Sequence, residues 1–192
     1  MFSHYFHHSN KFLRQTSGFG LIELLVSISI MMLVITVIFV RQNTFNGSVL
    51  LESQAYELAL SAREVQQNAV SASSIRGDTR EFLGLYVSKQ RDNTYRIFRD
   101  ADGDVYYDPT EEYGQQGGVS DRFQIKNIRV GNNSVDEISI VFARPDFDAR
   151  FILPSSGEVI ASQVEIDIGL RDGSNSDIRT VVITSTGQVA VE

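Results

Sequence analysis

Twenty-two consecutive residues near the start of the chain, Phe19 to Val40, are uncharged except for one glutamate, Glu23. As an α-helix this run, "FGLIELLVSISIMMLVITVIFV", covers roughly 33 Å, which is enough for a bilayer hydrocarbon core of about 30 Å. The segment ahead of it carries Lys11 and Arg14 but no acidic residue, and basic residues beside a span favour the cytoplasmic side. The sequence therefore predicts one membrane span, with a cytoplasmic N-terminus and an exported remainder.

Two common kinds of N-terminal segment do not account for this run. A secretory signal peptide has an apolar region of about 7–15 residues that ends at small residues, whereas this run is longer and is followed by "RQNTF". A plain signal anchor leaves Glu23 unexplained, because a carboxylate costs about 2.5–3.5 kcal/mol at the bilayer centre and less near an end. An ionisable residue in a span indicates function by default.

The residues around Glu23 carry a family resemblance. Gly18, then Phe19, then Glu23 as the fifth residue from that Phe, then an apolar helix, is similar to the processing and methylation motif of type IV prepilins and type II secretion pseudopilins. The resemblance implies that a prepilin peptidase cuts after Gly18 and methylates the new amino terminus at Phe19. It also implies that Glu23 meets the N-terminal ammonium of a neighbouring subunit, a pairing that offsets the cost of the carboxylate only in the correct axial register.

Beyond the span, apolar residues recur at alternating spacings of four and three, which predicts an amphipathic continuation of the helix. The stripe comprises Leu51, Ala55, Leu58, Ala62, Val65 and Ala69. Asn43, Asn46 and Gly47 predict a kink or a short break where this part begins. The stripe could be a coiled-coil seam, but packing on the chain's own sheet is the simpler interpretation.

From about Glu81 onward, the apolar pattern changes to period two, with turn residues between short runs. The predicted strands are Phe82–Lys89, Thr94–Asp100, Phe123–Val130, Glu137–Arg144, Gln163–Arg171, Ile178–Ser185 and Gln188–Glu192. One helix followed by strands predicts an α+β fold, in which the helix lies on an antiparallel sheet. Pilins share this arrangement, as the resemblance implies. The predicted organisation is a leader (1–18), a transmembrane or filament-core helix (19–40), its amphipathic continuation (41–75) and an extracytoplasmic β-rich domain (76–192).

A second candidate site is the acidic stretch "DADGDVYYDPTE", whose carboxylates have the spacing of a calcium loop. Loop positions 1, 3, 5, 9 and 12 are Asp100, Asp102, Asp104, Asp108 and Glu111. The pattern departs from such loops, because Val105 occupies position 6, where glycine makes the sharp turn, and because strands flank the stretch. The alternative is a hairpin tip whose side chains bond their own backbone. The sequence establishes no cofactor, and calcium is the candidate ion for the acidic stretch.

Residue content argues against catalysis. The chain has no cysteine, and its three histidines lie within the first eight residues, so the exported part has no imidazole or thiol for the common hydrolase mechanisms. We therefore expect that the protein is not an enzyme. Arg122, Lys126 and Arg129 form a small basic set, with strand alternation placing Arg129 on the other face. Without Lys11 and Arg14 the net charge is about −9, which argues against nucleic-acid binding.

The resemblance implies a structural subunit of a filament. In the exported domain it is looser, resting on the acidic turn, "RPDFDARF" and the final "VVITSTGQVAVE". These segments, and the lack of the cysteine pair found in many major pilins, favour a minor subunit of a type IV pilus or type II secretion pseudopilus. The alternative is a signal-anchored membrane protein whose exported β domain binds a ligand or partner.

The same resemblance implies the partners and the location. The partners are the prepilin peptidase, other pilins or pseudopilins, and an inner-membrane assembly platform. The precursor is expected to be a single-pass inner-membrane protein, and the assembled form to lie in a periplasmic or extracellular filament.

Overall fold

The computed structural model describes residue 18 and residues 20–71, 82–89, 94–114, 117–142, 147–171 and 177–192. Most of the predicted leader, Phe19 and the predicted end of the helix beyond residue 71 lie outside these residues. The chain divides into two compact units, Met1–Thr44 and Phe45–Glu192, which are described separately. The helix α1, Leu21–Ser71, contributes residues to both units.

The first unit contains the apolar part of α1. Residues Leu21–Phe39 form a helix that is long and apolar enough to cross a membrane, and none of it is buried in the protein. Its hydroxyl groups are satisfied within the helix, because Ser27, Ser29 and Thr36 each donate to the carbonyl four residues earlier at 2.7–2.8 Å. This part of α1 therefore presents almost only hydrocarbon to its surroundings.

The second unit begins with the amphipathic part of α1. Residues 43–47 are helical, so the predicted short break is absent. The predicted stripe is buried, with exposed fractions of 0–7% for the set Leu51, Ala55, Leu58, Ala62, Val65 and Ala69. Gln66 fixes the helix to two loops, since its Nε2 donates to the carbonyls of Phe147 and Gly187, each at 2.8 Å. The stripe thus packs on the chain's own β domain, as the simpler interpretation predicted.

Two antiparallel sheets make up the rest of the described part of the second unit. Their strands are β1 (Leu83–Ser88), β2 (Thr94–Arg99), β3 (Gly117–Gly118), β4 (Phe123–Val130), β5 (Asn133–Val135), β6 (Glu137–Phe142), β7 (Ala149–Leu153), β8 (Gly157–Val159), β9 (Gln163–Leu170), β10 (Ile178–Thr184) and β11 (Val189–Val191). The first sheet has the order β3-β2-β1-β6-β7-β8, and the second has the order β11-β10-β9-β4-β5. The predicted α+β class is confirmed.

One apolar cluster unites the inner faces of both sheets with the buried stripe of α1. Alternation along each strand produces it, as in β9, where Val164, Ile166 and Ile168 are fully buried. Alternation fails in β4, because a β-bulge between Ile125 and Asn127 shifts the register against β9. The bulge keeps apolar residues on the core side both before and after it.

The first sheet also has a core on its outer face. Tyr86, Phe98, Tyr107, Val141 and Ile152 form this second cluster, so β1 is buried at all six residues. Tyr107, Val105 and Tyr106 of the acidic stretch between β2 and β3 cover this face, together with Phe82. The predicted hairpin tip is therefore packed onto the sheet.

Candidate functional site

The first candidate site is the start of α1. Gly18 is exposed and precedes the helix, whose first hydrogen bond in this region runs from the amide of Leu24 to the carbonyl of Gly20 at 3.1 Å. Glu23 lies in the first turn and is exposed. A carboxylate is favoured there, because the first amides of a helix lack intrahelical acceptors and carry a partial positive charge. Its place near the end of the apolar helix also keeps the cost of the charge below that at the centre.

This geometry defines what a cut after Gly18 would produce. The new amino terminus, Phe19, would lie two residues ahead of Leu21, where α1 begins. An ammonium at that end of a helix is disfavoured by the helix dipole, and a carboxylate from a neighbouring helix would offset this repulsion. After such a cut, the start of α1 would carry both groups of an ammonium–carboxylate pair. The ammonium would be that of Phe19, and the carboxylate would be that of Glu23 on a neighbouring helix.

A comparison with known protein families finds a match over this segment. The family model described as the prokaryotic N-terminal methylation motif matches residues 13–39. That range contains Gly18, Phe19, Glu23 and most of the apolar helix. No curated protein and no solved structure matches the chain.

The motif matched over residues 13–39, together with the apolar helix Leu21–Phe39, supports a type IV prepilin-like protein. This motif is that of a precursor processed by prepilin peptidase. The roles of Gly18, Phe19 and Glu23 as cut site, methylation site and assembly residue stay predictions.

The second candidate site is the acidic loop, defined as residues Asp100–Glu112 between β2 and β3. Asp100 is only 3% exposed, and its carboxylate accepts from the amides of Gly103 (2.8 Å) and Val105 (3.3 Å). Burial raises the pKa of Asp100 above its usual value. Asp102 and Asp104 accept from amides two residues ahead, at 3.1 and 2.7 Å. These carboxylates satisfy the backbone of the turn, as in the hairpin-tip alternative.

Carboxylate oxygens of Asp100, Asp102 and Asp104 nevertheless lie within 4.8 Å of one another. Asp108 and Glu111, the other two predicted ligands, are not members of this group. Glu111, 8% exposed, accepts from the amides of Ala101 (2.7 Å) and Asp108 (3.3 Å), where it caps the short 3-10 turn Pro109–Glu111. Three of the five predicted calcium ligands are thus brought together, and calcium binding stays a prediction.

The sharp turn at position 6 of the calcium-loop pattern is made by a residue other than glycine. Val105 adopts a left-handed φ of 59°, so the sharp turn is made without the glycine that calcium loops use. A β-branched residue in this region costs about 1–3 kcal/mol. The hydrogen bond from its amide to Asp100 and the packing of its side chain on the second cluster offset that cost.

Aromatic contacts hold the acidic loop on the first sheet. The ring of Tyr107 stacks on Tyr86 with centroids 4.3 Å apart and meets Phe98 edge-on at 5.7 Å. The Tyr86 hydroxyl donates to the Glu137 carboxylate. Burial, and then the Glu137 charge, raise the pKa of Tyr106, which contacts Tyr86 edge-on. Aromatic packing and the Tyr86–Glu137 hydrogen bond therefore fix the loop on the first sheet.

The basic set on β4 is arranged differently from the prediction. Lys126 lies over Gly169 of the neighbouring β9, and the bulge brings Arg129 to the same outer face. The expectation that Arg129 faces the other way was wrong, because alternation does not anticipate an inserted residue. Arg129 lies between Glu165 and Asp167, with Nε 2.9 Å from Glu165 Oε2. These bonds lower the pKa of Glu165 and raise that of Arg129, so Arg129 is not free to bind phosphate.

Proposed function

We propose that this protein is a structural subunit, a minor one, of a type IV pilus or a type II secretion pseudopilus. The observation that supports this proposal is the methylation motif at the head of a helix whose apolar part has no core of its own. A helix that is apolar all round needs lipid or other helices around it. The absence of cysteine supports the choice of a minor subunit through the resemblance already described.

Assembly would transfer the apolar part of α1 from lipid to neighbouring helices. This exchange gains little from hydrophobicity, because lipid tails are as apolar as leucine side chains. Close packing and the pairing of Glu23 with an ammonium would then decide whether a subunit enters the filament. The pair would determine the axial register of neighbouring subunits. A subunit displaced by one helical turn would place its Glu23 carboxylate against hydrocarbon.

The same proposal implies an orientation of the chain in the membrane and a set of partners. Lys11 and Arg14 favour a cytoplasmic leader, which places the β domain outside the cytoplasmic membrane. The partners would be the prepilin peptidase, an inner-membrane assembly platform and other pilins or pseudopilins. We assign the protein no catalytic role, because its histidines all lie in the leader and it has no cysteine.

The first experiment measures the mass of the mature N-terminus in cells with and without the prepilin peptidase. We expect a chain that begins at methylated Phe19, present only with the peptidase. Gly18→Val should accumulate as the uncut precursor, whereas Gly20→Val, two residues on, should be processed. An uncut Met1 in peptidase-containing cells, or a cut beyond Val40, would reject the proposal and favour a plain anchor or a secreted protein.

A further inference from the structure

Apolar side chains are exposed on the outer side of the second part of α1. Among the described residues of the second unit, seven large apolar side chains are exposed, and four of them lie within twelve consecutive residues of this helix. The seven are Val49, Leu50, Tyr56, Leu60, Tyr113, Phe147 and Ile160. Exposed apolar residues that are scattered singly are ordinary, whereas a group of them on one surface marks an interaction site.

Helical spacing places three of the four on the same side of α1. Val49, Tyr56 and Leu60 lie within about 40° of one another around a helix of 3.6 residues per turn, and the exposed Ser53 lies between them. The buried stripe, which includes Leu58, occupies the opposite side. We call Val49, Ser53, Tyr56 and Leu60 the outer seam. Their successive spacings of four, three and four residues are those of a seam between two helices.

Acidic residues flank the outer seam. Glu52 lies on one side of it, and Glu57 and Glu64 lie on the other. None of the three forms an ion pair within the part of the chain that the structure describes. Arg63 is the one basic residue of α1 beyond residue 47, and its guanidinium donates to the Val189 carbonyl at 2.6 Å. The flanks therefore carry a net negative charge.

The β domain does not reverse this charge where it meets the flank that holds Gln54. The amide of Ser120 donates to Gln54 Oε1 at 2.7 Å. The next two residues, Asp121 and Arg122, are both exposed and carry opposite charges. The excess of carboxylates beside the outer seam therefore remains.

The charges of the flanks distinguish the possible occupants of the outer seam. Helices that lie on a membrane surface carry lysines and arginines on their polar face, whereas this part of α1 carries three glutamates and one arginine. A second copy of the chain would place its own glutamates against these, and like charges across a contact are unfavourable. A different chain with basic residues beside an apolar seam would match both the seam and its flanks.

We propose that the outer seam binds an amphipathic helix of a different pilin-like subunit, one that carries lysine or arginine beside its own apolar seam. The apolar contact would supply affinity, and the charges would determine orientation and the choice of partner. This inference rests on the proposed function, because a minor subunit has to be joined to the other subunits of its filament. The contact would be made outside the apolar part of α1, which ends at Phe39.

Photo-crosslinking from residue 56 tests this contact in the full chain. Tyr56 is replaced by p-benzoylphenylalanine in cells that contain the assembly machinery, the cells are irradiated, and the crosslinked peptides are identified by mass spectrometry. We expect an adduct with a helical segment of another pilin-like chain that has basic residues beside apolar ones. The same replacement at Phe147 is the matched control, because Phe147 is 54% and Tyr56 is 57% exposed. It should give this adduct in several-fold lower yield.

Substitutions in the crosslinking chain test the seam and its charges separately. Val49→Ala with Leu60→Ala should lower the yield of the adduct several-fold, because the apolar contact is lost. Glu52→Lys with Glu64→Lys should also lower it several-fold, because the basic residues of the partner would be repelled.

A charge control uses two exposed acidic residues away from the seam. Asp148→Lys with Asp177→Lys changes the net charge by the same amount and should leave the yield of the adduct unchanged. All of these positions are exposed, so the melting temperature of each variant should stay close to that of the parent chain.

The outcomes separate this inference from the proposed function, since the mature N-terminus is read in every sample. Processing at Phe19 without the adduct would overturn the contact and leave the proposed function standing. The adduct on a chain that still begins at Met1 in peptidase-containing cells would support the contact and reject the proposed function. An adduct with lipid or with a second copy of this chain, or a yield that neither pair of substitutions lowers, would overturn the proposal.

Discussion

The two parts of α1 use the same kinds of apolar residue in opposite ways. Between Leu21 and Phe39, large apolar side chains such as Leu21 (77%) and Ile35 (41%) are widely exposed, whereas Leu51 and Leu58 in the second part are at most 1% exposed. The first part is apolar all round, and the second is buried along one stripe. The arrangement of apolar residues thus decides whether a helix is completed by its own chain or by other molecules.

The comparison also separates two sources of stability. The second part of α1 is stabilised by burial against two sheets of the same chain. The first part contributes nothing to that core, and its free energy depends on the lipid or protein that surrounds it. Changes in the first part should therefore affect assembly, and changes in the buried stripe of the second part should affect folding.

The largest expected effect tests the first part. Glu23→Ala should leave membrane insertion intact, because it makes the span more apolar, but should abolish incorporation into filaments. Ser27→Ala, one turn further along the same face, should be incorporated normally. Fractionation of membranes and sheared filaments measures both steps, and normal incorporation of Glu23→Ala would refute the register argument.

The second prediction compares two leucines in the second part of α1. Leu58 is fully buried and Leu60 is 67% exposed. Leu58→Ala should lower the free energy of unfolding of the β domain by about 3 kcal/mol, because it removes buried methyl groups and leaves a cavity. Leu60→Ala should change it by less than about 0.5 kcal/mol.

Denaturant unfolding of the full chain in detergent, followed by near-ultraviolet circular dichroism, measures this difference. The signal reports the β domain, since Phe19 to Val40 contains no tyrosine and the chain has no tryptophan. Equal effects of the two substitutions would mean that the stripe does not pack on the domain.

The third prediction concerns the charged face within the β domain. Asp167 is almost buried, with 7% of its side chain exposed beside Arg129. Arg129→Met should cost about 1–2 kcal/mol, which is less than for a fully buried pair because the Arg129 side chain is 35% exposed. Arg122→Met, at an exposed arginine just ahead of β4, is the control and should cost almost nothing.

The pH dependence of this effect follows from the lowered pKa of Glu165. A carboxylate whose pKa is depressed by folding stabilises the protein above its unfolded value, which is 4.5 for glutamate, and loses that contribution as the pH falls through the folded pKa. The difference between the wild type and Arg129→Met should therefore be full at neutral pH and shrink below about pH 4.5. A difference that is independent of pH would show that the substitution acts through packing alone.

The smallest expected effect concerns calcium. The acidic loop is held by its own backbone and by aromatic packing, so we expect the melting temperature of the β domain to stay constant when millimolar calcium is added. An ion that binds only the folded state raises stability by mass action. A calcium-dependent rise that is lost in Asp104→Asn, and kept in Asp121→Asn, would establish the predicted ion site instead.

Strand positions with clear alternation could be predicted from the sequence. All seven predicted strands are present, with ends that differ by at most two residues. The short strands β3, β5 and β8 could not be predicted, because sheet-edge residues such as Gly117 and Gly118 show no alternation. Strand β7 could not be predicted because it follows the turn-like segment "RPDFD". The bulge in β4 and the conformation of Val105 depend on contacts with distant residues, which no local pattern records.

Strand β1 is covered on both faces, so partial unfolding of the domain would expose an apolar surface. All six residues of β1 are buried, with the main core on one side and the acidic loop on the other. If the loop detached, Tyr86 and Phe98 would become an apolar patch on a flat sheet, the kind of surface on which chains aggregate. The loop thus covers a sheet surface on which chains would otherwise aggregate. The amide protons of β1 should accordingly exchange with solvent only as slowly as the whole domain unfolds.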